Sequence, residues 1–137
     1  MRHYKYLIVG GGMTAAAAVN GIREVDSTGG IGLVSAELDA PYDRPPLSKK
    51  LWKGKSLDII WRKTEDKGVK VHLDRVIKEI VPKQKRVVDD KGNVFTYQKL
   101  LLATGGRPRR LAFGDDRITT SSPTALLVPG YTRACCT

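Results

Sequence analysis

Tyr4-Lys5-Tyr6-Leu7-Ile8-Val9-Gly10-Gly11-Gly12-Met13-Thr14-Ala15 sets a short apolar strand, Tyr4 to Val9, against a run of three glycines and the start of an alanine-rich helix. The turn fits the spacing G-x-G-x-x-A through Gly10, Gly12 and Ala15. In that arrangement Gly10 permits a tight exit from the strand. Gly12 lets the backbone approach a pyrophosphate with no Cβ in the way. Ala15 is small enough for close packing of helix on strand. The unpaired N–H groups and the helix dipole at Met13 and Thr14 then face the phosphates. Taken alone a glycine turn is a weak signal, but here it follows a strand and opens a helix.

The flanking sequence completes the unit. Met13 to about Val25 places small and branched side chains on one helical face, including Val19 and Ile22. Asp26 to Gly30 is a turn cluster, and Ile31 to Val34 is a second strand. Strand, glycine turn, helix and strand within about thirty residues is the size of one βαβ unit. Such a unit carries an acid near the end of its second strand for a ribose hydroxyl. Glu37 is the candidate, with Asp39 behind it. Ser35 to Ser48 is a loop stiffened by Pro41, Pro45 and Pro46, with short helices expected around Leu47 to Trp52 and Trp61 to Lys67. Strands follow at Val69 to Leu73 and Val76 to Val81. Arg86 to Asp89 and Val94 to Tyr97 flank Asp90-Lys91-Gly92, a hairpin signal. Leu100 to Ala103 is a continuous apolar run ending in Thr104-Gly105-Gly106, the pattern of a buried parallel strand.

Composition narrows the class. The chain has 137 residues, 41% hydrophobic and 28% charged, enough to bury the core of one small domain. No apolar run approaches the roughly 18 residues of a membrane span, and no signal-peptide pattern opens the chain, so the expected compartment is the cytoplasm. The two cysteines, Cys135 and Cys136, are adjacent and can neither staple a fold nor build a metal site alone. Lys+Arg 24 against Asp+Glu 14 gives a net charge of +10, which suits an acidic partner or a phosphate-rich ligand. No recognition-helix or stacking-sheet pattern accompanies that charge, so nucleic acid is not the expected partner. Beyond Arg117 the only charged residue is Arg133, and residues 112–137 read as an atypical tail without a core-forming pattern.

Three stretches together point to a family. Pro41-Tyr42-Asp43-Arg44-Pro45-Pro46-Leu47-Ser48-Lys49, with Val9 to Ala18 and with Leu100 to Arg109, resembles the FAD-dependent, NAD(P)H-oxidising reductases of ferredoxins and rubredoxins. That group includes dioxygenase ferredoxin reductase components and apoptosis-inducing-factor-like proteins. The resemblance covers about residues 4 to 111. It implies an α/β fold: a three-layer FAD/NAD(P)-binding Rossmann-like domain, here incomplete, with a small antiparallel β layer formed by the Val76 to Tyr97 hairpin on one face. It also implies that residues 1–111 are part of an FAD-binding domain, and that NAD(P)H is the parent protein's co-substrate. By the same resemblance Gly10, Gly12 and Thr14 contact the FAD pyrophosphate, and Lys49 sits beside the flavin with Arg44 near it. The backbone of Val76 bonds the adenine. Ala103, Thr104 and Gly105 form a second dinucleotide contact.

Departures from the family pattern bear on the reading. The family's ribose-binding acid falls at Ala36, so Glu37 substitutes with altered geometry or the adenosine end binds more weakly. Relatives that reduce disulfides carry a cysteine pair in the helix corresponding to the PYDRPPLSK run, and none stands here. The family chain continues into a second nucleotide domain and an interface domain, so this chain alone is expected not to reduce a ferredoxin with NAD(P)H. The parent function implied is electron transfer to an acidic ferredoxin or rubredoxin. An NADH oxidase or peroxidase of the same fold, a nucleotide-binding stub and a basic nucleic-acid-binding module are the alternatives.

Overall fold

The computed structural model describes residues 1–106. The chain runs β1 (Arg2–Val9), α1 (Met13–Val25), β2 (Ile31–Val34), α2 (Pro45–Lys49), β3 (Val69–His72), β4 (Ile77–Val81), β5 (Arg86–Asp89) and β6 (Val94–Leu102). Single 3-10 turns lie at Leu51–Lys53, Leu57–Ile60, Glu65–Lys67 and Pro82–Gln84. The strands form one six-stranded sheet in the order β3-β2-β1-β6-β5-β4. β1 pairs in parallel with β2 and β6, and β2 in parallel with β3, as the βαβ reading requires.

One face of the sheet is covered by α1. Ala15, Ala16 and Val19 of the helix are buried, and Ala15 and Val19 pack on Ile8, Ile31, Leu33 and Val69. Alanines at the start of the helix let its backbone sit close to the strands, and Val19 fills the space beneath. The helix ends in a polar knot. Arg23 donates to the carbonyls of Asp26, Gly29 and Lys67, which suits a cation in the last turn. Asp26 accepts from Gly29 N–H at 2.7 Å and from Tyr6 OH at 3.0 Å. With Lys5 paired to it first, then Gly29 and Tyr6, its carboxyl is held well below the usual carboxylate range.

The opposite face buries Tyr4, Leu7, Val34, Val87, Phe95 and Tyr97, with Ile77 and Leu100 packed against them. Burying Phe95, Leu7 and Val87 completely removes side chains worth about 1.5–3 kcal/mol each from water. Gly32 is required here: a Cβ on it would stand 2.6 Å from the Tyr4 ring, which lies across the strand to reach His72. The antiparallel strands do supply this face, but they do not stand apart from the sheet. Residues 94–96 pair with β5 on one side, and β6 pairs with β1 along most of its length on the other, so one long strand carries both patterns.

Three local expectations are corrected. Of the short helix expected around Trp61 to Lys67, only the 3-10 turn Glu65–Lys67 forms. Trp61 instead bridges Tyr42 in antiparallel fashion with the two rings edge to face, and Lys63 takes φ +45°, which ends any helical run. Val94 to Tyr97 and Leu100 to Ala103 are one strand, because Gln98 and Lys99 continue the extended backbone with exposed side chains. The apolar run is parallel but not buried, since Leu101 is 39% and Leu102 55% exposed. The expected tail, residues 112–137, lies outside the described residues. Among those described, no helix is long and apolar enough to cross a membrane.

Candidate dinucleotide-binding site

The strand ends are aligned across the sheet. Leu102 pairs with Val9, Val9 with Val34, and Val34 with His72, so four parallel strands stop on one line. The next residues along each are Ala103, Gly10, Ser35 and Leu73. Sheets of this kind bind ligands outside the carboxyl ends of their strands, where the order reverses, and β1 is the strand at which it reverses. The glycine turn, the acid-bearing loop and the ATGG segment, distant in sequence, therefore leave the sheet side by side.

The three glycines serve different physical needs. Gly10 has φ +123°, and a Cβ there would lie 2.1 Å from the Ala103 carbonyl oxygen. The first glycine is thus the contact between the glycine turn and the ATGG segment. That segment is itself tied down by Ala103 N–H donating to the Val9 carbonyl at 2.8 Å. Gly11 faces Ser35, whose Oγ would lie 2.2 Å from an added Cβ. Gly12 is different: its φ is −82° and its ψ −173°, extended backbone open to any residue, and an added Cβ would meet nothing within 4 Å. Neither conformation nor a neighbour among the described residues calls for glycine at position 12. What its absent side chain leaves is open space at the start of α1.

That helix start is a ready anion site. Gly12 is the N-cap, no side chain caps the helix, and its first turn contains no acid. Met13 and Thr14 are exposed, while Ala15 is completely buried. Free N–H groups and the positive end of the dipole therefore look outward over Gly12.

Glu37 is brought to the same edge by a residue the sequence reading passed over. Ser35 is 1% exposed, and its Oγ accepts from Glu37 N–H at 3.0 Å. Its own N–H donates to the His72 carbonyl, and its carbonyl accepts from Arg75 N–H, both at 2.9 Å. The Glu37 carbonyl accepts from Asp74 N–H at 3.0 Å. Only the burial of a small hydroxyl immediately after the strand could have signalled Ser35. The Glu37 carboxylate accepts from Arg44 at 2.5 Å, which couples the PYDRPPLSK loop to the end of β2. The loop is held from behind by Asp43 N–H to Ile60, Arg62 N–H to Pro41 and the Asp43–Arg62 ion pair.

The remaining candidates are less converged. Lys49 is the exposed last residue of α2 and makes no hydrogen bond or ion pair with the glycine turn among the described residues. Thr104 and Gly105 are exposed, and Gly105 takes the left-handed φ of +71°. Val76 precedes β4. Its N–H donates to the Asp90 carboxylate at 3.1 Å and its carbonyl accepts from Asp90 N–H at 2.8 Å. An adenine contact through that N–H would have to displace the Asp90 side chain.

Beneath the loop, His72 receives Arg2 on Nδ1 at 2.9 Å. A guanidinium only donates, so Nδ1 is the acceptor and Nε2–H donates to Tyr4 Oη at 2.7 Å. Burial first, then the charges of Arg2 and Arg75, lower the His72 pKa and keep the ring neutral. A cavity of about 550 Å³ lined by Arg2, Gln84, Arg86, Asn93 and Thr96 lies at the other end of β1, away from the glycine turn.

Comparison with known proteins agrees with this geometry. The family model for pyridine nucleotide-disulphide oxidoreductases matches residues 4–125. The chain is 38% identical over 117 residues to the 5,5'-dehydrodivanillate O-demethylase ferredoxin reductase subunit of a Sphingobium species, covering 82% of this chain and 28% of that protein. It is 32% identical over 142 residues to mitochondrial apoptosis-inducing factor 1 of Dictyostelium discoideum, covering 88% and 27%. Its fold superposes on the reductase in a covalent putidaredoxin reductase-putidaredoxin complex with a TM-score of 0.71 at 27% identity, covering 82% and 28%. The chain spans less than a third of the length of these relatives. With the strand–glycine turn–helix unit, the aligned strand ends and the match over nearly its whole length, this chain belongs to the pyridine nucleotide-disulphide oxidoreductase family.

Proposed function

We propose that the chain is the FAD-binding N-terminal part of a cytoplasmic, NAD(P)H-dependent flavoprotein oxidoreductase that passes electrons to a ferredoxin or rubredoxin. Residues 1–111 contribute part of the FAD domain. The observation that supports this function is Gly12, a glycine that neither backbone conformation nor a neighbouring atom among the described residues requires, beside an uncapped helix start. The space that its missing side chain leaves would admit a pyrophosphate.

The residues present fit FAD. The N–H groups of Gly12, Met13, Thr14 and Ala15 would hold the two phosphates, with the ATGG segment brought beside them through Gly10. Glu37 accepts from a ribose hydroxyl, with Ser35 setting its backbone and Arg44 its carboxylate. Val76 would meet the adenine through its N–H only once the Asp90 side chain is displaced, and Ala103, Thr104 and Gly105 would form the second dinucleotide contact. Lys49 places positive charge toward the isoalloxazine, whereas Arg44, neutralised by Glu37, stands at the ribose end and not beside the flavin. FAD, when bound, exchanges electrons between a two-electron hydride donor and one-electron acceptors. The family name does not imply thiol chemistry here, since α2 contains no cysteine beside the cofactor.

Equilibrium dialysis of the chain against FAD and against riboflavin tests the proposal. The contacts named above are mostly with the adenosine diphosphate half, so FAD should be retained, ADP should compete with it, and riboflavin should pass freely. Equal retention of riboflavin, or none of FAD, refutes the assignment.

A further inference from the structure

Resting on the electron-transfer reading above, we propose that the exposed segment Lys49–Lys55 is the docking surface for the acidic iron–sulfur partner, with Trp52 at its centre. The seven residues Lys49-Lys50-Leu51-Trp52-Lys53-Gly54-Lys55 hold four lysines and no carboxylate. Five cations elsewhere have a carboxylate partner: Lys5 with Asp26, Arg44 with Glu37, Arg62 with Asp43, Arg75 with Asp89 and Lys91 with Asp74. Lys63, Lys70, Lys78, Lys83, Lys85 and Lys99 have none among the described residues either, but no other seven-residue stretch holds four unpaired lysines without a carboxylate. Lys49, Lys50, Lys53 and Lys55 are all exposed, and none has a carboxylate within ion-pair distance among the described residues. Their charge is available to a partner.

The segment is anchored from below and apolar on top. Leu47 is buried with Tyr42 and Ile60, and Leu51 packs against that cluster. Gly54 turns the chain at φ +73° and donates to the Leu51 carbonyl at 3.0 Å. With Leu47 and Leu51 held inward, Trp52 stands outward at 68% exposure, and Ile59 is also exposed. A projecting tryptophan flanked in the chain by exposed lysines is the composition of an interface centre, where one aromatic anchor supplies affinity and the charges supply steering. Single-stranded nucleic acid calls for successive aromatics on which bases stack, and the segment offers one. The segment also begins at Lys49, the residue assigned to the flavin's neighbourhood, so a partner seated on Trp52 approaches the cofactor end of the molecule.

The test uses the full chain with FAD, and an acidic plant-type 2Fe–2S ferredoxin immobilised as the probe. The triple variant Lys50→Glu/Lys53→Glu/Lys55→Glu should weaken binding at low salt by about thirtyfold or more. The equally charged control Lys78→Glu/Lys83→Glu/Lys85→Glu, made at exposed lysines around β4 and β5, should weaken it by about threefold or less. Trp52→Ala should cost about tenfold and leave the salt dependence unchanged. Flavin retention should be the same in all, since none of these residues is assigned to the cofactor. Equal loss in both triple variants, full binding by Trp52→Ala, no binding by the unaltered chain, or tighter binding of a short single-stranded DNA at the same lysines would each overturn the proposal. A chain that holds no FAD yet shows the contrast between the two triple variants keeps the docking surface and refutes the flavin assignment instead.

Discussion

Gly12→Val and Gly10→Ala, two positions apart, should fail in opposite ways. At Gly12 the backbone is extended and a Cβ meets nothing within 4 Å, so valine enters without strain. The cost to the fold is the weaker N-cap, about 0.5–1 kcal/mol. The branched side chain nonetheless occupies the space assigned to the pyrophosphate. FAD affinity should fall by about a hundredfold or more, equivalent to about 2.8 kcal/mol. At Gly10 the φ of +123° is closed to alanine, and the new Cβ would stand 2.1 Å from the Ala103 oxygen. Backbone strain of about 1–3 kcal/mol adds to the cost of separating β1 from the end of β6, for a total of about 3–5 kcal/mol. That is a large part of the 5–15 kcal/mol typical of a folded domain. Urea unfolding followed by circular dichroism gives the stabilities, and dialysis against FAD gives retention. A Gly12→Val chain that keeps full FAD affinity refutes the phosphate assignment. A Gly10→Ala chain as stable as the parent refutes the described contact with Ala103.

Other perturbations follow from the packing. Gly32→Ala should displace the Tyr4 ring, 2.6 Å from the new Cβ, and lower stability by about 2 kcal/mol in urea titrations. Asp89 is completely buried, which by itself raises its pKa, but hydrogen bonds from Asn93, Arg75 and Lys91 outweigh burial and leave it lowered. Its contribution is therefore present above pH 3.8 and lost as the pH falls through the lower folded value. Asp89→Asn should cost about 3 kcal/mol at neutral pH and flatten that acid limb. His72, with a folded pKa below 6.5, should lose stability as the pH drops from 6.5 toward the folded value, and His72→Gln should remove that slope. An NMR titration of its ring protons with a midpoint at or above 6.5 would contradict the buried, neutral assignment.

The βαβ unit was legible because its evidence is local. Strand, glycine turn and helix follow one another, and periodicity alone separates Tyr4 to Val9 from Met13 to Val25. The contact between Gly10 and Ala103 was not, because nothing in either motif states that residues far apart in the chain abut through their backbones. Ser35 was missed for a similar reason, since a lone serine after a strand acquires meaning only when its hydroxyl is buried against Gly11 and Glu37. The helix expected around Trp61 to Lys67 shrank to the 3-10 turn Glu65–Lys67 because its first residue, Trp61, pairs with Tyr42 instead. Leu101 and Leu102 carry the apolar pattern of a buried strand. Yet β5 pairs only with residues 94–96 of β6, and no strand among the described residues covers the edge beyond.

Amide NMR of the isotopically labelled chain, recorded as FAD is added, tests the central claim most directly. The largest shifts should fall at Gly12, Met13, Thr14 and Ala15, with smaller ones at Glu37, Thr104 and Gly105. Shifts confined to Arg2, Arg86 and Asn93 would place the ligand in the cavity at the opposite end of β1 and contradict the assignment.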